Sequence, residues 1–154
     1  MQPSYAKAMK HVLFVCTGNS CRSQIAEAFF NALAKGKAAR FPLEAERGPF
    51  LRSRKWEARS AGSKPAAEID EGARQVMREV GIELPNTKPK LLTKELIDWA
   101  DTIITMGCED ACPLTGKPMT DWGIKNPVGK PIEEYRKVRD EIKRKVLELL
   151  SVNA

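Results

Sequence analysis

The stretch that decides the fold is Cys16-Thr17-Gly18-Asn19-Ser20-Cys21-Arg22-Ser23. It follows an apolar run, residues 12–15, with the composition of a buried strand, and it precedes a segment with apolar residues at helical spacing. A short loop from a strand into a helix aims several backbone N–H groups at one point, where the helix dipole also favours negative charge. The stretch therefore predicts a cradle for an anion at the end of a strand.

Several side chains of this stretch suit chemistry on an anion. The guanidinium of Arg22 can hold two oxygens of an oxyanion at once. Cys16, at the base of the cradle, is expected to be a thiolate and a nucleophile, with a hydrogen bond donated by Ser23. A buried structural cysteine is the alternative interpretation. We favour covalent chemistry, because the loop has the residue types of a cradle at the right spacing: Thr17, Gly18, Asn19, Ser20, Cys21 and Arg22.

Length and charge indicate a single catalytic domain over residues 1–154, with a loose leader at residues 1–10. The formal net charge is +6, and residues 36–59 contain seven Lys or Arg and three Glu. We interpret this basic stretch as a solvated loop and expect no nucleic-acid partner, since aromatic residues do not alternate with the basic ones.

No apolar run suits a membrane span or a signal peptide, so we expect no membrane partner and a cytoplasmic location.

The four cysteines point to catalysis or metal binding rather than to a structural disulfide framework. Zinc is disfavoured, because the spacing of Cys16 and Cys21 around a cradle does not match the usual zinc motifs. The only histidine of the sequence, His11, begins the first strand and receives no catalytic role. We therefore expect no cofactor.

Strands alternate with helices along the chain, which predicts an α/β fold: a three-layer sandwich around a four-stranded parallel sheet. Strands are predicted at residues 11–16, 57–60, 102–106 and 119–122. Helices are predicted at residues 23–35, 67–80 and 132–150, with a short helix capped by Thr93. The cradle then lies at the carboxyl ends of the strands, where such folds bind ligands.

The spacing Cys16-x5-Arg22-Ser23 resembles the signature of the low-molecular-weight protein tyrosine phosphatases. The string from Cys16 to Phe29 is more similar to the thioredoxin-coupled arsenate reductases built on that fold. Further similarity is found in Ser60-Ala61-Gly62, in the pair Cys108 and Cys112 followed by a proline, and in residues 122–130 and 136–142. Residues 37–56 form a basic insertion relative to this family.

The resemblance implies a low-molecular-weight phosphatase-like fold and reduction of arsenate to arsenite. Cys16 would attack arsenate, Cys108 would then form a disulfide with Cys16, and Cys112 would move that disulfide outward for thioredoxin. A structural or metal-binding role of Cys108 and Cys112 is the less favoured interpretation. Cys21 corresponds to a position that is usually structural in the family and protects the nucleophile in some members.

Two positions depart from the family pattern. The family's general acid is an aspartate directly before a proline, and here that residue is Asn126, whose amide cannot donate a proton as an acid does. Asp121 is a weak candidate to replace it. Some relatives hold potassium through residues that match Asn19, Glu27 and Ser60 together with an aspartate, and here Lys90 replaces that aspartate. Either the lysine ammonium substitutes for the ion or the site is vestigial.

Three functions remain in competition at the level of sequence. The favoured one is arsenate reduction coupled to thioredoxin, because Cys108 and Cys112 supply the extra thiols. The second is hydrolysis of phosphotyrosine or small phosphoesters, against which Asn126 argues. The third is non-enzymatic binding of a phosphate-like oxyanion. All three require an anion in the same cradle.

Overall fold

The computed structural model describes residues 10–34, 56–107 and 116–152. Residues 1–9 of the predicted leader, residues 37–55 of the predicted insertion, and both Cys108 and Cys112 lie outside this part. The elements follow each other as β1 (Lys10–Cys16), α1 (Arg22–Ala34), β2 (Trp56–Gly62), α2 (Glu71–Glu79), α3 (Lys94–Trp99), β3 (Thr102–Thr105), β4 (Met119–Asp121) and α4 (Ile132–Val152).

The four strands form a parallel sheet in the order β2-β1-β3-β4, as the alternation of strands and helices predicts. β1 is central, and its residues 12–15 are completely buried because both faces of the sheet are covered. In the register, Cys16 lies opposite Gly62 and Val15 opposite Thr105. Cys16 therefore ends the central strand at the carboxyl edge of the sheet.

Side chains of β1 alternate between two cores, which confirms the three-layer sandwich. Val12 and Phe14 pack with α1, α2 and α4, whereas Leu13 and Val15 pack on the opposite face with α3. The first core is the larger and contains most of the aromatic residues, with Phe14 and Phe30 in an edge contact at 5.9 Å between ring centroids. Helix α1 is thus pressed against the sheet directly behind the cradle.

Element bounds differ from the predictions mostly by one or two residues. The largest difference is at α2, which begins at Glu71 instead of residue 67. Asp70 ends the preceding extended segment and accepts a hydrogen bond from the amide of Gly72, so the helix cannot begin earlier. β2 is longer than predicted, Trp56–Gly62 instead of residues 57–60, since its whole length pairs with β1. The predicted cap of Thr93 is confirmed, because its side chain accepts from the amide of Leu96.

Helices α2 and α4 meet at a glycine. A Cβ at Gly72 would lie 2.5 Å from the ring of Tyr135, so only glycine permits this approach. Burial, together with a hydrogen bond to Asp70, raises the pKa of Tyr135 to about 12. No helix in the part of the chain described here is long and apolar enough to cross a membrane.

Removal of side-chain volume under α4 is expected to destabilise the fold. Ile142 is completely buried, so Ile142→Ala leaves a cavity and lowers the free energy of unfolding by ~2–5 kcal/mol. Urea unfolding followed by circular dichroism measures this loss. Arg144→Ala, on the exposed side of the same helix, is the control and changes stability by less than ~0.5 kcal/mol. Equal losses in both variants would contradict the assignment of the core.

Candidate active site

The loop between β1 and α1 is held from outside through its backbone carbonyls. The amides of Lys64, Ala66 and Asp70 donate to the carbonyls of residues 17, 18 and 20, each at 2.9 Å. With its carbonyls drawn outward, the loop turns its amides inward. The amide of Asn19 lies 3.2 Å from Sγ of Cys16, which is 2% exposed. The amide of Asn19, in the middle of the predicted cradle, is thus directed at the sulfur.

Gly62 allows β2 to approach this loop closely. A Cβ at this position would lie 2.5 Å from the carbonyl oxygen of Thr17 and 2.9 Å from the amide nitrogen of Asn19, both backbone atoms. Gly62 in turn donates to the carbonyl of Lys90 and accepts from the amide of Leu92. The glycine therefore joins the loop to the segment that follows α2.

Asn19 organises the polar groups around the sulfur. Its Nδ2 donates to the hydroxyls of Ser23 at 2.8 Å and Ser60 at 2.9 Å. Because Ser23 accepts from Asn19, its own hydrogen is available for Cys16, whose Sγ lies 2.9 Å from the hydroxyl oxygen. A hydrogen bond from a hydroxyl to sulfur is, as a general rule, one that favours a thiolate over a thiol. Asn19 itself has φ +51°, a left-handed conformation that asparagine tolerates better than most residues.

The side-chain oxygen of Asn19 is fixed by two donors. The amide of Lys90 donates to Oδ1 at 2.7 Å, and Nε2 of Gln24 donates to the same oxygen at 3.0 Å. Gln24 is 1% exposed and also donates to the carbonyl of Asn19 at 3.2 Å. Sequence reasoning gave Gln24 no role. Its position directly after Ser23, in the first turn of α1, was the available signal.

Arg22 connects the cradle to the ends of β3 and β4. Nη1 donates to the carbonyl of Met106 at 2.6 Å and to that of Ile124 at 2.8 Å. Arg22 as a whole is 7% exposed, and its two hydrogen bonds to these carbonyls are buried. A cavity of about 780 Å³ opens beside it. The lining residues are Thr17, Arg22, Thr105, Gly107, Met119, Asp121, Gly123, Ile124, Lys125 and Asn126.

Comparison with known proteins assigns this arrangement to a family. The model of the low molecular weight phosphotyrosine protein phosphatases matches residues 11–47 and 51–153. The chain belongs to this family.

Relatives within the family have two kinds of activity. An arsenate reductase of Staphylococcus haemolyticus is 34% identical over 139 residues, which are 87% of this chain and 91% of the relative. The structure of a thioredoxin-dependent arsenate reductase of Corynebacterium glutamicum is similar with a TM-score of 0.66 and 32% identity, over 99% of this chain and 67% of the other. The structure of an arginine phosphatase of Geobacillus stearothermophilus is similar with a TM-score of 0.65 and 31% identity, over 92% and 91%.

The wall of the cavity contains the asparagine at which the sequence comparison predicts the position of the general acid. Asn126 lines the cavity, and its Oδ1 accepts from the amide of Val128 at 3.1 Å. Asp121, the weak candidate to replace the acid, lines the same cavity. Burial acts to raise the pKa of Asp121, but hydrogen bonds from Thr105, Gly107 and Gly123 outweigh it and lower the pKa. Asp121 is therefore ionised at neutral pH and suited to accept hydrogen bonds.

Cys21 differs from Cys16 in its surroundings. Burial raises the pKa of the Cys21 thiol strongly, and the charge of Asp70 adds to the effect. Cys21 therefore stays protonated at neutral pH and is a weak nucleophile there. This agrees with the structural role that the sequence favours for it.

The residues that match a potassium site are brought together around an ammonium group. The hydroxyl of Ser60 donates to Oε1 of Glu27 at 2.5 Å, and Nζ of Lys90 lies 3.8 Å from the same oxygen. The side-chain oxygen of Asn19 already accepts from two N–H groups. These oxygens therefore do not fit a potassium ion, because one has a cation beside it and the other has its lone pairs occupied. Among the described residues, no cluster of His, Cys, Asp or Glu suits another metal.

Stability is expected not to depend on potassium. Because the ammonium of Lys90 lies at the carboxylate of Glu27, the midpoint of thermal unfolding should be the same in KCl and in NaCl at equal concentration. Lys90→Asp removes the cation beside Glu27 and adds a second carboxylate, so that potassium can bind between the two carboxylates without Asn19. The midpoint of this variant should become higher in KCl, since a ligand of the native state stabilises it. Differential scanning fluorimetry measures both.

The matched control is Lys64→Asp, which makes the same change of charge at an exposed position. Its midpoint should be equally insensitive to the choice of cation. A higher midpoint of the natural sequence in KCl would show that the lysine does not replace the ion.

Proposed function

We propose that this protein reduces arsenate to arsenite, with Cys16 as the nucleophile and thioredoxin as the electron donor that restores it. The supporting observation is the environment of the Cys16 sulfur. The amide nitrogen of Asn19 lies 3.2 Å from it, the hydroxyl oxygen of Ser23 lies 2.9 Å from it, and Arg22 follows in the same loop. The similarity to arsenate reductases along most of the chain supports the same conclusion.

Binding of the oxyanion uses the loop amides and Arg22. The two hydrogens of Nη1 go to the carbonyls of Met106 and Ile124. The edge formed by Nε and Nη2 then offers two parallel donors to two oxygens of a tetrahedral oxyanion. Amides at the N-terminus of α1 and the dipole of this helix add to the attraction. Arsenate and phosphate share this geometry, so both are bound.

The first chemical step forms a bond between Sγ of Cys16 and arsenic. The thiolate attacks arsenate, and an arsenic–oxygen bond breaks as a hydroxyl of arsenate takes a proton from solvent and leaves as water. The hydroxyl of Ser23 stabilises the thiolate before attack, because Asn19 holds its oxygen and directs its hydrogen to the sulfur.

The second step transfers two electrons to arsenic. The thiolate of Cys108 attacks Sγ of Cys16, the sulfur–arsenic bond breaks, and its electron pair leaves with arsenic as arsenite. A disulfide between Cys16 and Cys108 remains. Cys108 directly follows Gly107, which lines the cavity beside Arg22, and consecutive Cα atoms are only about 3.8 Å apart. This adjacency in the chain supports Cys108 as the attacking thiol.

The third step clears the catalytic cysteine. Cys112 attacks the sulfur of Cys108, which releases Cys16 as a thiolate and leaves a disulfide between Cys108 and Cys112. A dithiol donor such as thioredoxin reduces this disulfide by thiol–disulfide exchange and supplies the two electrons that arsenate has taken. Cys21 takes no part, because its raised pKa keeps it protonated.

Phosphatase activity is the second candidate, supported by the family and by the similarity to an arginine phosphatase. The same cradle can bind a phosphoester. Formation of the cysteine–phosphate bond expels the ester oxygen, which needs a proton from an acid, and Asn126 offers only an amide at the expected position. We therefore place phosphoester hydrolysis behind arsenate reduction.

The cysteine relay is tested by one turnover with arsenate in the absence of thioredoxin, followed by alkylation and peptide mass spectrometry. The natural sequence should contain a disulfide between Cys108 and Cys112, with Cys16 free to be alkylated. Cys112→Ser should stop at the disulfide between Cys16 and Cys108. Cys108→Ser should form neither of these disulfides and should lose repeated turnover completely, since the thiol that is proposed to displace arsenic from Cys16 is gone.

Phosphate in place of arsenate is the control, because thiols do not reduce it and no disulfide should form. Normal repeated turnover in Cys108→Ser would contradict the relay. If arsenate is bound by the natural sequence but never reduced, and phosphoesters are not hydrolysed either, the third possibility, an oxyanion-binding protein, replaces the proposal.

Restoration of the acid is expected to increase phosphatase activity. Asn126→Asp places a carboxylic acid at the cavity where the leaving oxygen needs a proton, and general acid catalysis is typically worth ~10²–10⁴ in rate. Steady-state hydrolysis of para-nitrophenyl phosphate measures the gain in kcat. Lys125→Asp, which puts the same carboxylate one residue earlier in the cavity wall, is the matched control and should give no such gain. Equal rates in Asn126→Asp and the natural sequence would show that another group is the acid.

A further inference from the structure

Asp121 gathers donors from two separate segments of the cavity wall. Its Oδ1 accepts from the hydroxyl of Thr105 at 2.8 Å, from the amide of Gly107 at 2.5 Å and from the amide of Gly123 at 3.4 Å. All three contacts converge on one carboxylate oxygen. The carboxylate therefore ties the segment after β3 to the segment after β4.

Arg22 holds the same two segments from their carbonyls. Its Nη1 donates to Met106, the residue before Gly107, and to Ile124, the residue after Gly123. Asp121 thus fixes the amides and Arg22 fixes the adjacent carbonyls. Both glycines have positive φ, +84° at Gly107 and +60° at Gly123, so the backbone can turn sharply at these points.

The charge state of Asp121 suits an acceptor. Burial opposes ionisation, but the hydrogen bonds from Thr105, Gly107 and Gly123, with the positive charge of Arg22 nearby, lower the pKa of Asp121. An ionised carboxylate makes strong hydrogen bonds to amides and has no proton to give to a leaving group.

We propose that Asp121 is a positioning residue for the oxyanion site: its carboxylate oxygen fixes the backbone at Gly107 and Gly123, so that the carbonyls of Met106 and Ile124 keep Arg22 oriented for two-point binding of the anion. Asp121 acts through Arg22 and touches no reacting atom. The proposal rests on the oxyanion site of the proposed function but not on reduction of arsenate.

Loss of the Asp121 carboxylate is expected to loosen the orientation of the Arg22 guanidinium. Without the carboxylate, the amides of Gly107 and Gly123 lose their common acceptor, and the two carbonyls lose their fixed spacing. The guanidinium then samples several orientations, and fixed orientation is what makes two-point binding strong. Anion affinity should fall, with binding of the anion affected before any chemical step.

The experiment measures binding of inorganic phosphate by isothermal titration calorimetry at pH 7.5. Asp121→Ala should raise Kd about tenfold, as expected for the loss of roughly 1.4 kcal/mol of orienting hydrogen bonds. Asp121→Asn keeps a carbonyl oxygen at the position of Oδ1, and all three donors go to this one oxygen. It should therefore restore most of the affinity lost in Asp121→Ala.

Turnover separates positioning from acid catalysis. A positioning role raises KM for arsenate in Asp121→Ala, whereas a proton donor would lower kcat equally in the alanine and asparagine variants. Asp98→Ala, which removes an exposed carboxylate on α3, is the matched control and should leave Kd unchanged. A merely structural role would lower the unfolding midpoint of Asp121→Ala without changing its Kd for phosphate.

Thr105→Val provides a second route if Asp121→Ala does not fold. It removes one donor to the carboxylate and should raise Kd about threefold, with Thr105→Ser restoring it. If the natural sequence binds no phosphate, the proposed function itself fails. If the natural sequence binds phosphate and neither Asp121→Ala nor Thr105→Val alters Kd, the positioning role is overturned while the proposed function stands.

Discussion

The site depends above all on the position of one side chain, that of Asn19. Its amide group makes four hydrogen bonds, two donated to Ser23 and Ser60 and two accepted from Gln24 and the backbone of Lys90. Its own backbone amide points at the sulfur of Cys16. An amide side chain has two hydrogens and one oxygen, and here both hydrogens and both lone pairs are used. Because Asn19 donates to both serine hydroxyls, the hydrogen of Ser60 is left for Glu27 and that of Ser23 for Cys16.

The two sides of the site around the Cys16 sulfur are held in different ways. The loop and α1 are held by backbone carbonyls and by a completely buried core, whereas the opposite wall of the cavity turns at Gly107 and Gly123. Arg22 belongs to the rigid side and reaches across to the wall through two carbonyls. The orientation of the Arg22 guanidinium therefore depends on the position of the wall backbone, which couples anion binding to the geometry of the wall.

Much of the fold follows from local sequence. The apolar run before Cys16 and the alternation of strands and helices suffice to predict the order of elements. A strand that is buried on both faces is apolar at every position, and this makes β1 recognisable in the sequence. The early start predicted for α2 was wrong, since apolar spacing continues through residues 67–70 while the cap at Asp70 excludes them from the helix. Within the site, the loop, Ser23 and Arg22 could be named from spacing. Gln24, Thr105 and the carbonyls of Met106 and Ile124 could not, because their roles arise from contacts distant in sequence.

The two activities found among relatives diverge after one shared intermediate. A cradle, a thiolate and an arginine suffice to form a bond between sulfur and a tetrahedral oxyanion. A phosphatase also needs a proton donor for the ester oxygen that leaves while this bond forms, and then water to break the bond, whereas a reductase needs a second thiol. In this chain the residue before Pro127 is an asparagine, while Gly107, which lines the cavity, is followed in the sequence by a cysteine. The two proposed activities therefore differ at two positions of the sequence, 108 and 126, and share the loop from Cys16 to Arg22.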